Sequence, residues 1–284
     1  GIIDVLIEPI ENKEDSEALA MLEASQQFRS TAVMATVFRA EGLAEVALGD
    51  RILQLPDGKI ENKIQHSALA EVILADFPEV LVSRRSNNKI YHVDGMEVEV
   101  FLEAVNPSIH LMIFGAGYDA IPVSALAKNV GWKVSVSDDC PAHLAPRRFP
   151  QADEVVCIPR DSVVGKVDIN DYTAAVLMSH SFKYDLAILK ELLKTDIPYI
   201  GILGPKKRFE KMKDALNEAG IMLREADLER IHNPIGLDLG AETPEEIALS
   251  IVSEIQAKFR NRPGSFLKYK EGFIHDRVER PQAV

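Results

Sequence analysis

Several short stretches of the chain carry residue types able to bind or react, and most close an apolar run. "GAGYDA", from Gly115 to Ala120, reads G-x-G-x-x-A. In that pattern Gly115 makes a tight turn, Gly117 lets backbone approach a pyrophosphate, and Ala120 stands in for a third small residue. Ala116 and Tyr118 complete the candidate binding loop. Asp138 follows Gly117 by 21 positions, the spacing of a ribose-binding carboxylate, and Asp139 stands beside it. A solvated turn with a helix cap would account for either acid equally well.

Ser179 and His180 end the run "TAAVLMSH". An imidazole there is a candidate for acid–base work, and Asp185, five residues on, is placed to orient it as a catalytic pair or simply to favour the next helix's positive end. "GPKKR" opens a further helix. Gly204 and Arg208 are its candidates for phosphate contact, while Lys206 and Lys207 read as a solvated face. Cys140 and Cys157 make neither a disulfide framework nor a metal cluster, so no metal site is expected. Cys157 reads as inert within a strand, and Cys140 as accessible just past one. In "NPIGLDLGAETPEEIALSIVSEI", "TPEE" is a capping box on Thr243 with Pro244 at the first helical position. The preceding "PIGLDLG" offers Asp238 and backbone amides as polar contacts, or is a connector packed on a neighbour.

The elements that must position these residues divide at Pro107. Residues 1–107 predict a small α+β region: helices over 12–28 and 64–77, and strands over 31–40, 43–48, 79–85, 89–95 and 96–105. Residues 108–284 alternate buried apolar runs with helices, the pattern of a parallel sheet covered by helices on both faces. The expected fold is therefore α/β, a C-terminal Rossmann-like sheet preceded by a smaller α+β domain. In such a sheet ligands bind beyond the strands' C-terminal ends, where Gly115, Asp138, His180 and Gly204 all fall. That shared edge says more than any single motif.

Bulk composition narrows the field. The 284 residues carry 32 Lys plus Arg against 44 Asp plus Glu, a net charge of −12. A chain this acidic has little long-range attraction for nucleic acid or an anionic membrane. No apolar run approaches the roughly 20 residues that span a bilayer. No secretory signal is visible, so the cytoplasm is the expected location.

In order, "HLMIFGAGYDAIPVSALA", "VSVSDD", "RRFPQADEVV", "MSHSFKYD", "YIGILGPKKR" and "IHNPIGLDLGAETPEEIALSIVSEI" resemble the XdhC/CoxI family of xanthine dehydrogenase accessory factors. The likeness covers residues 108–258, and "GIIDVLIEPI" resembles the end of the family's N-terminal domain, so the chain is expected to begin partway through it. The resemblance implies a homodimer that carries molybdenum cofactor (molybdopterin), supports its sulfuration, and delivers it to an apo-molybdenum hydroxylase of the xanthine dehydrogenase type. A cysteine desulfurase is a further implied partner. Two positions depart from the family: Tyr118 replaces a usual histidine and Cys140 a usual arginine. The competing expectation is an NAD(P)-dependent oxidoreductase, although no hydride-transfer constellation accompanies the fingerprint. A regulatory nucleotide sensor without chemistry is the third.

Overall fold

The structure, a computed structural model, describes residues 5–10, 16–41, 45–159 and 168–272. Two compact units emerge, one of Gly1–Pro107 together with the chain from Lys270, the other Ser108–Tyr269.

In the first unit, five antiparallel strands lie in the order β3-β2-β1-β5-β4: β1 Ala32–Glu41, β2 Arg51–Gln54, β3 Ile60–Asn62, β4 Asn87–Val93 and β5 Met96–Val105. Helix α2, Ser67–Ser83, lays Leu69, Ala70, Ile73, Phe77 and Val80 on one face of the sheet. Helix α1, Glu17–Gln26, sets Met21 against Met34, Leu53 and Leu55 in a separate cluster. Two expectations fail here. The strand expected over 43–48 is absent from its described part, because Asp50 accepts from the Ala47 N–H at 2.9 Å and closes a turn instead. Residues 79–83, expected as strand, continue α2 through Pro78, since Phe77 and Val80 keep the helical apolar stripe. The first helix begins at Glu17 among described residues; 11–15 lie outside them.

The second unit holds six parallel strands in the order β8-β7-β6-β9-β10-β11: β6 His110–Phe114, β7 Lys133–Ser137, β8 Glu154–Val156, β9 Thr173–Leu177, β10 Tyr199–Ile202 and β11 Ile231–His232. In chain order that is 3-2-1-4-5-6, the doubly wound Rossmann arrangement, with its switch point between β6 and β9. The α/β expectation is met. Helices α3 (Ala120–Asn129) and α7 (Pro244–Phe259) cover one face around Ile113, Val136 and Val176. Helices α4 (Phe182–Leu192) and α5 (Lys206–Glu218) cover the other around Phe114, Leu177 and Ile202. The short α6 (Glu225–Arg230) and β11 were not anticipated; six residues and two are too few to show a period. The capping box on α7 forms as read: Thr243 Oγ1 accepts from the Glu246 N–H, and Glu246 accepts from the Thr243 N–H at 3.0 Å.

Candidate functional site

The C-terminal edge of the parallel sheet is built around Gly115. Its N–H donates to the Ser137 carbonyl at 2.7 Å, so the chain leaves β6 still bonded to the end of β7. Its φ is +116°, and a Cβ there would overlap the backbone of Ser179. Only glycine permits the loops after β6 and β9 to touch. This glycine is structural.

Gly117 differs. Its φ is not left-handed, and a Cβ would lie 3.7 Å from His180 Cδ2, an ordinary contact. The fold does not require a glycine there; the His180 ring borders the space a side chain would take, at the opening of α3. Asp119 precedes that helix with helical dihedrals and makes no side-chain cap, so the first N–H groups of α3 have no side-chain acceptor from it. Tyr118 stands 73% exposed beside this opening.

Asp138 is buried at the end of β7. Its Oδ2 accepts from the Ala116 N–H at 2.6 Å, its Oδ1 from the Cys140 N–H at 2.8 Å, and His143 Nδ1 lies 3.4 Å from Oδ2. Arg148 holds the other side of the loop, donating to the carbonyls of Ala116 at 2.7 Å and His143 at 2.8 Å. The loop is therefore fixed from both sides before any ligand arrives. Asp138 acts here as a brace for the glycine loop, whereas Asp139 is exposed.

The pairing of His180 with Asp185 is not formed. Helix α4 buries Asp185 together with Tyr184, Ile188, Leu189 and Leu192, so the carboxylate points inward. It is 1% exposed, and its Oδ2 accepts from Arg208 Nη2 at 2.7 Å. Its Oδ1 accepts from Ser179 Oγ at 2.5 Å and more distantly from the Ser179 N–H. A guanidinium is what a carboxylate so buried needs. Ser179, Asp185, Gly204 and Arg208 are thus neighbours: a Cβ on Gly204 would sit 2.9 Å from Arg208 Cδ. His180 instead pairs with Asp119, Nε2 to Oδ2 at 3.0 Å, with the imidazole 63% exposed. Its φ of +60° is uncommon for a residue with a side chain.

The loop after β11 is tied down by its own residues. Asn233 Nδ2 donates to the carbonyls of Ile202 and Gly204, each at 3.0 Å. Ile235 packs over Gly201, and Ser250 Oγ donates to the Leu237 carbonyl at 2.5 Å. Glu254, on α7, accepts from the Gly236 N–H at 2.9 Å, from Tyr199 Oη at 2.5 Å, and from His232 Nδ1 at 2.9 Å. Burial alone would raise the Glu254 carboxyl; hydrogen bonds from His232, Tyr199 and Gly236 outweigh it and hold it below the usual range. Only the tip remains open: Asp238 and Leu239 are exposed.

The cysteines divide differently from expectation. Cys157 lies past the end of β8 and is exposed, because β8 stops at Val156; Cys140 is half-buried. Among the described residues, no group of three or more His, Cys, Asp or Glu could hold a metal ion, and no helix is long and apolar enough to cross a membrane. Sequence reading missed Asp119, Arg148, Asn233 and Glu254. Asp119 stands inside "GAGYDA" itself, and an acid beside a phosphate fingerprint was a legible oddity.

Residues 111–255 match the family model described as the XdhC Rossmann domain. The chain is 31% identical over 156 residues to a Bacillus subtilis (strain 168) protein named as a probable xanthine dehydrogenase subunit, covering 55% of this chain and 44% of that protein. It is 24% identical over 165 residues to the molybdenum cofactor insertion chaperone PaoD of Escherichia coli (strain K12), covering 58% and 43%. The chain thus spans less than half the length of these curated relatives. A crystal structure described as a xanthine dehydrogenase from Bacillus halodurans shares the fold, with a TM-score of 0.50 at 22% identity over 88% of this chain and 98% of that one. Order of strands, fingerprint loop and family match agree, and the chain belongs to the XdhC family.

Proposed function

We propose that this chain serves the maturation of molybdenum hydroxylases such as xanthine dehydrogenase, holding molybdenum cofactor at the C-terminal edge of its Rossmann sheet. One observation carries the reading: Gly117 is a glycine the fold does not require, placed just ahead of the N-terminus of α3 with only the His180 ring beside it. A phosphate-bearing ligand fits that place, because backbone N–H groups and the helix dipole favour an anion. Gly117 and Tyr118 would hold the phosphate end, on a loop braced by Gly115 and Ala116, whose N–H groups are taken by Ser137 and Asp138. Ser179, Gly204, Arg208 and Asp238 border the same edge. When bound, the molybdenum cofactor supplies the redox-active centre for the client enzyme; this chain's residues orient and shield it.

The names of the relatives support the role: one is called a molybdenum cofactor insertion chaperone, another a probable xanthine dehydrogenase subunit. The reading includes support of cofactor sulfuration with a cysteine desulfurase, delivery to an apo-hydroxylase, and action as a homodimer in the cytoplasm. The division at Pro107 into an α+β domain and a Rossmann domain is part of it.

An NAD(P)-dependent oxidoreductase is less well supported. The acid that would read a ribose, Asp138, already accepts from two backbone N–H groups. Side-by-side titration of the purified protein with molybdenum cofactor and with NAD(P)H tests the choice. Cofactor binding that is lost in Gly117→Val, with an unchanged melting curve, is expected. Binding of NADPH alone, or binding unaffected by Gly117→Val, would overturn the reading.

A further inference from the structure

The His180–Asp119 pair is largely exposed on its His180 side and lies beside Gly117. The chain places an acid, Asp119, at the entrance of α3, where its charge would oppose any anionic ligand drawn to the positive end of the helix. Left alone, such a carboxylate would repel a phosphate arriving next to it. The structure shows it engaged elsewhere: Asp119 Oδ2 lies 3.0 Å from His180 Nε2 and makes no cap on α3.

His180 is held in place to do this. Ser179 before it is anchored to the buried Asp185, which is itself locked by Arg208. Ser181 after it caps α4, accepting from the Tyr184 N–H at 3.3 Å, and its own N–H donates to Ser179 Oγ at 3.1 Å. Fixed at both neighbours, His180 takes a left-handed backbone, φ +60°, and its imidazole lies over Gly117 within reach of Asp119. Strain of this kind persists where surrounding structure imposes it. Arg148 is not free to offset Asp119 in its place, since its guanidinium is engaged by two backbone carbonyls.

We propose that His180 is a positioning residue that draws the Asp119 carboxylate off the entrance of α3, keeping that entrance open to the phosphate of the bound ligand. The proposal rests on the reading that a phosphate sits at Gly117. It makes His180 act through Asp119 rather than on the ligand itself. The chain of support runs from the Arg208–Asp185 pair through Ser179 to His180 and so to Asp119.

The test measures affinity for inorganic pyrophosphate and for molybdenum cofactor in five proteins: wild type, Gly117→Val, His180→Ala, Asp119→Asn and the double variant His180→Ala/Asp119→Asn. Melting curves confirm that each is folded. A carboxylate released towards the phosphate predicts a roughly five- to twentyfold loss in His180→Ala, shrinking as salt is added. Asp119→Asn alone should stay within about twofold of wild type, because the carboxylate it removes is already held away from the entrance by His180. The double variant should regain most of the loss. Wild-type binding abolished by Gly117→Val, with no recovery in the double variant, overturns this proposal alone and makes His180 a direct ligand contact. Full affinity in His180→Ala overturns it equally. No binding by wild type, or equal binding by Gly117→Val, overturns the phosphate site and this proposal with it.

Discussion

Replacing Arg208 by methionine isolates the interaction that anchors the loop after β9. The change keeps most of the aliphatic stem and removes the guanidinium from Asp185. Asp185 is 1% exposed, so its Oδ2 would be left buried and charged without a partner, while Oδ1 keeps Ser179. Breaking a fully buried ion pair costs about 3–5 kcal/mol. The Arg208 side chain is 20% exposed, which admits some solvent and places the expected loss near the lower end, about 3 kcal/mol. For a domain of this size that is a fall of roughly 6–12 °C in melting temperature. Urea unfolding followed by far-UV circular dichroism gives the free energy, and differential scanning calorimetry the temperature. Asp185→Asn added to Arg208→Met removes the stranded charge and should recover part of the loss. A loss below about 1 kcal/mol, or a double variant no more stable than Arg208→Met, would refute the buried-pair argument.

Gly115→Ala should be poorly folded or strongly destabilised, because its Cβ overlaps Ser179 backbone at a left-handed φ, whereas Gly117→Ala should melt within about 1 kcal/mol of wild type; comparing their urea midpoints checks both. Glu254→Gln should destabilise the second unit above about pH 5, where the lowered carboxyl is ionised and accepts from His232, Tyr199 and Gly236. That difference from wild type should shrink as pH falls below the ordinary value of 4.5 and through the lower folded-state pKa, since the wild-type carboxylate then protonates too; melting curves from pH 7 to pH 3 would show it. Gly201→Ala should cost stability because the new methyl collides with Ile235, and Ile235→Ala in the same chain should relieve part of that loss, as a double-mutant cycle would measure.

Much of the second unit was legible because its signals are local. Buried strands read as continuous apolar runs, Thr243 and Glu246 sit three apart as a capping box must, and each strand end carries its glycine or polar residue within a few positions. The partners of those residues were not legible, because pairing is decided by the sheet. His180 meets Asp119 from 61 positions away, and Asp138 meets Ala116 from 22. Asp185 looked like a surface acid near a helix start, yet Ile188, Leu189 and Leu192 on the same face turn it inward towards Arg208. "PIGLDLG" looked like a ligand loop, and the backbone of Gly236 and Leu237 within it proves to be spent on Glu254 and Ser250. In the first unit, Pro78 suggested a helix end, but the apolar spacing of Phe77 and Val80 prevailed over that local signal.

The strand order also dictates when the site can come into being. His110 in β6 pairs with Thr173 in β9, so the central joint of the sheet links segments some sixty residues apart. Until β9 has been synthesised, β6 has only β7 on one side and an open row of backbone donors and acceptors on the other. Gly115, whose place depends on touching Ser179, cannot settle before then. Closing so long a loop carries its entropic cost before contacts reward it, and a nascent chain halted between β8 and β9 would present an unpaired sheet edge to its neighbours. The fold thus leaves its ligand edge to be assembled late, at the same joint where premature association between chains would begin.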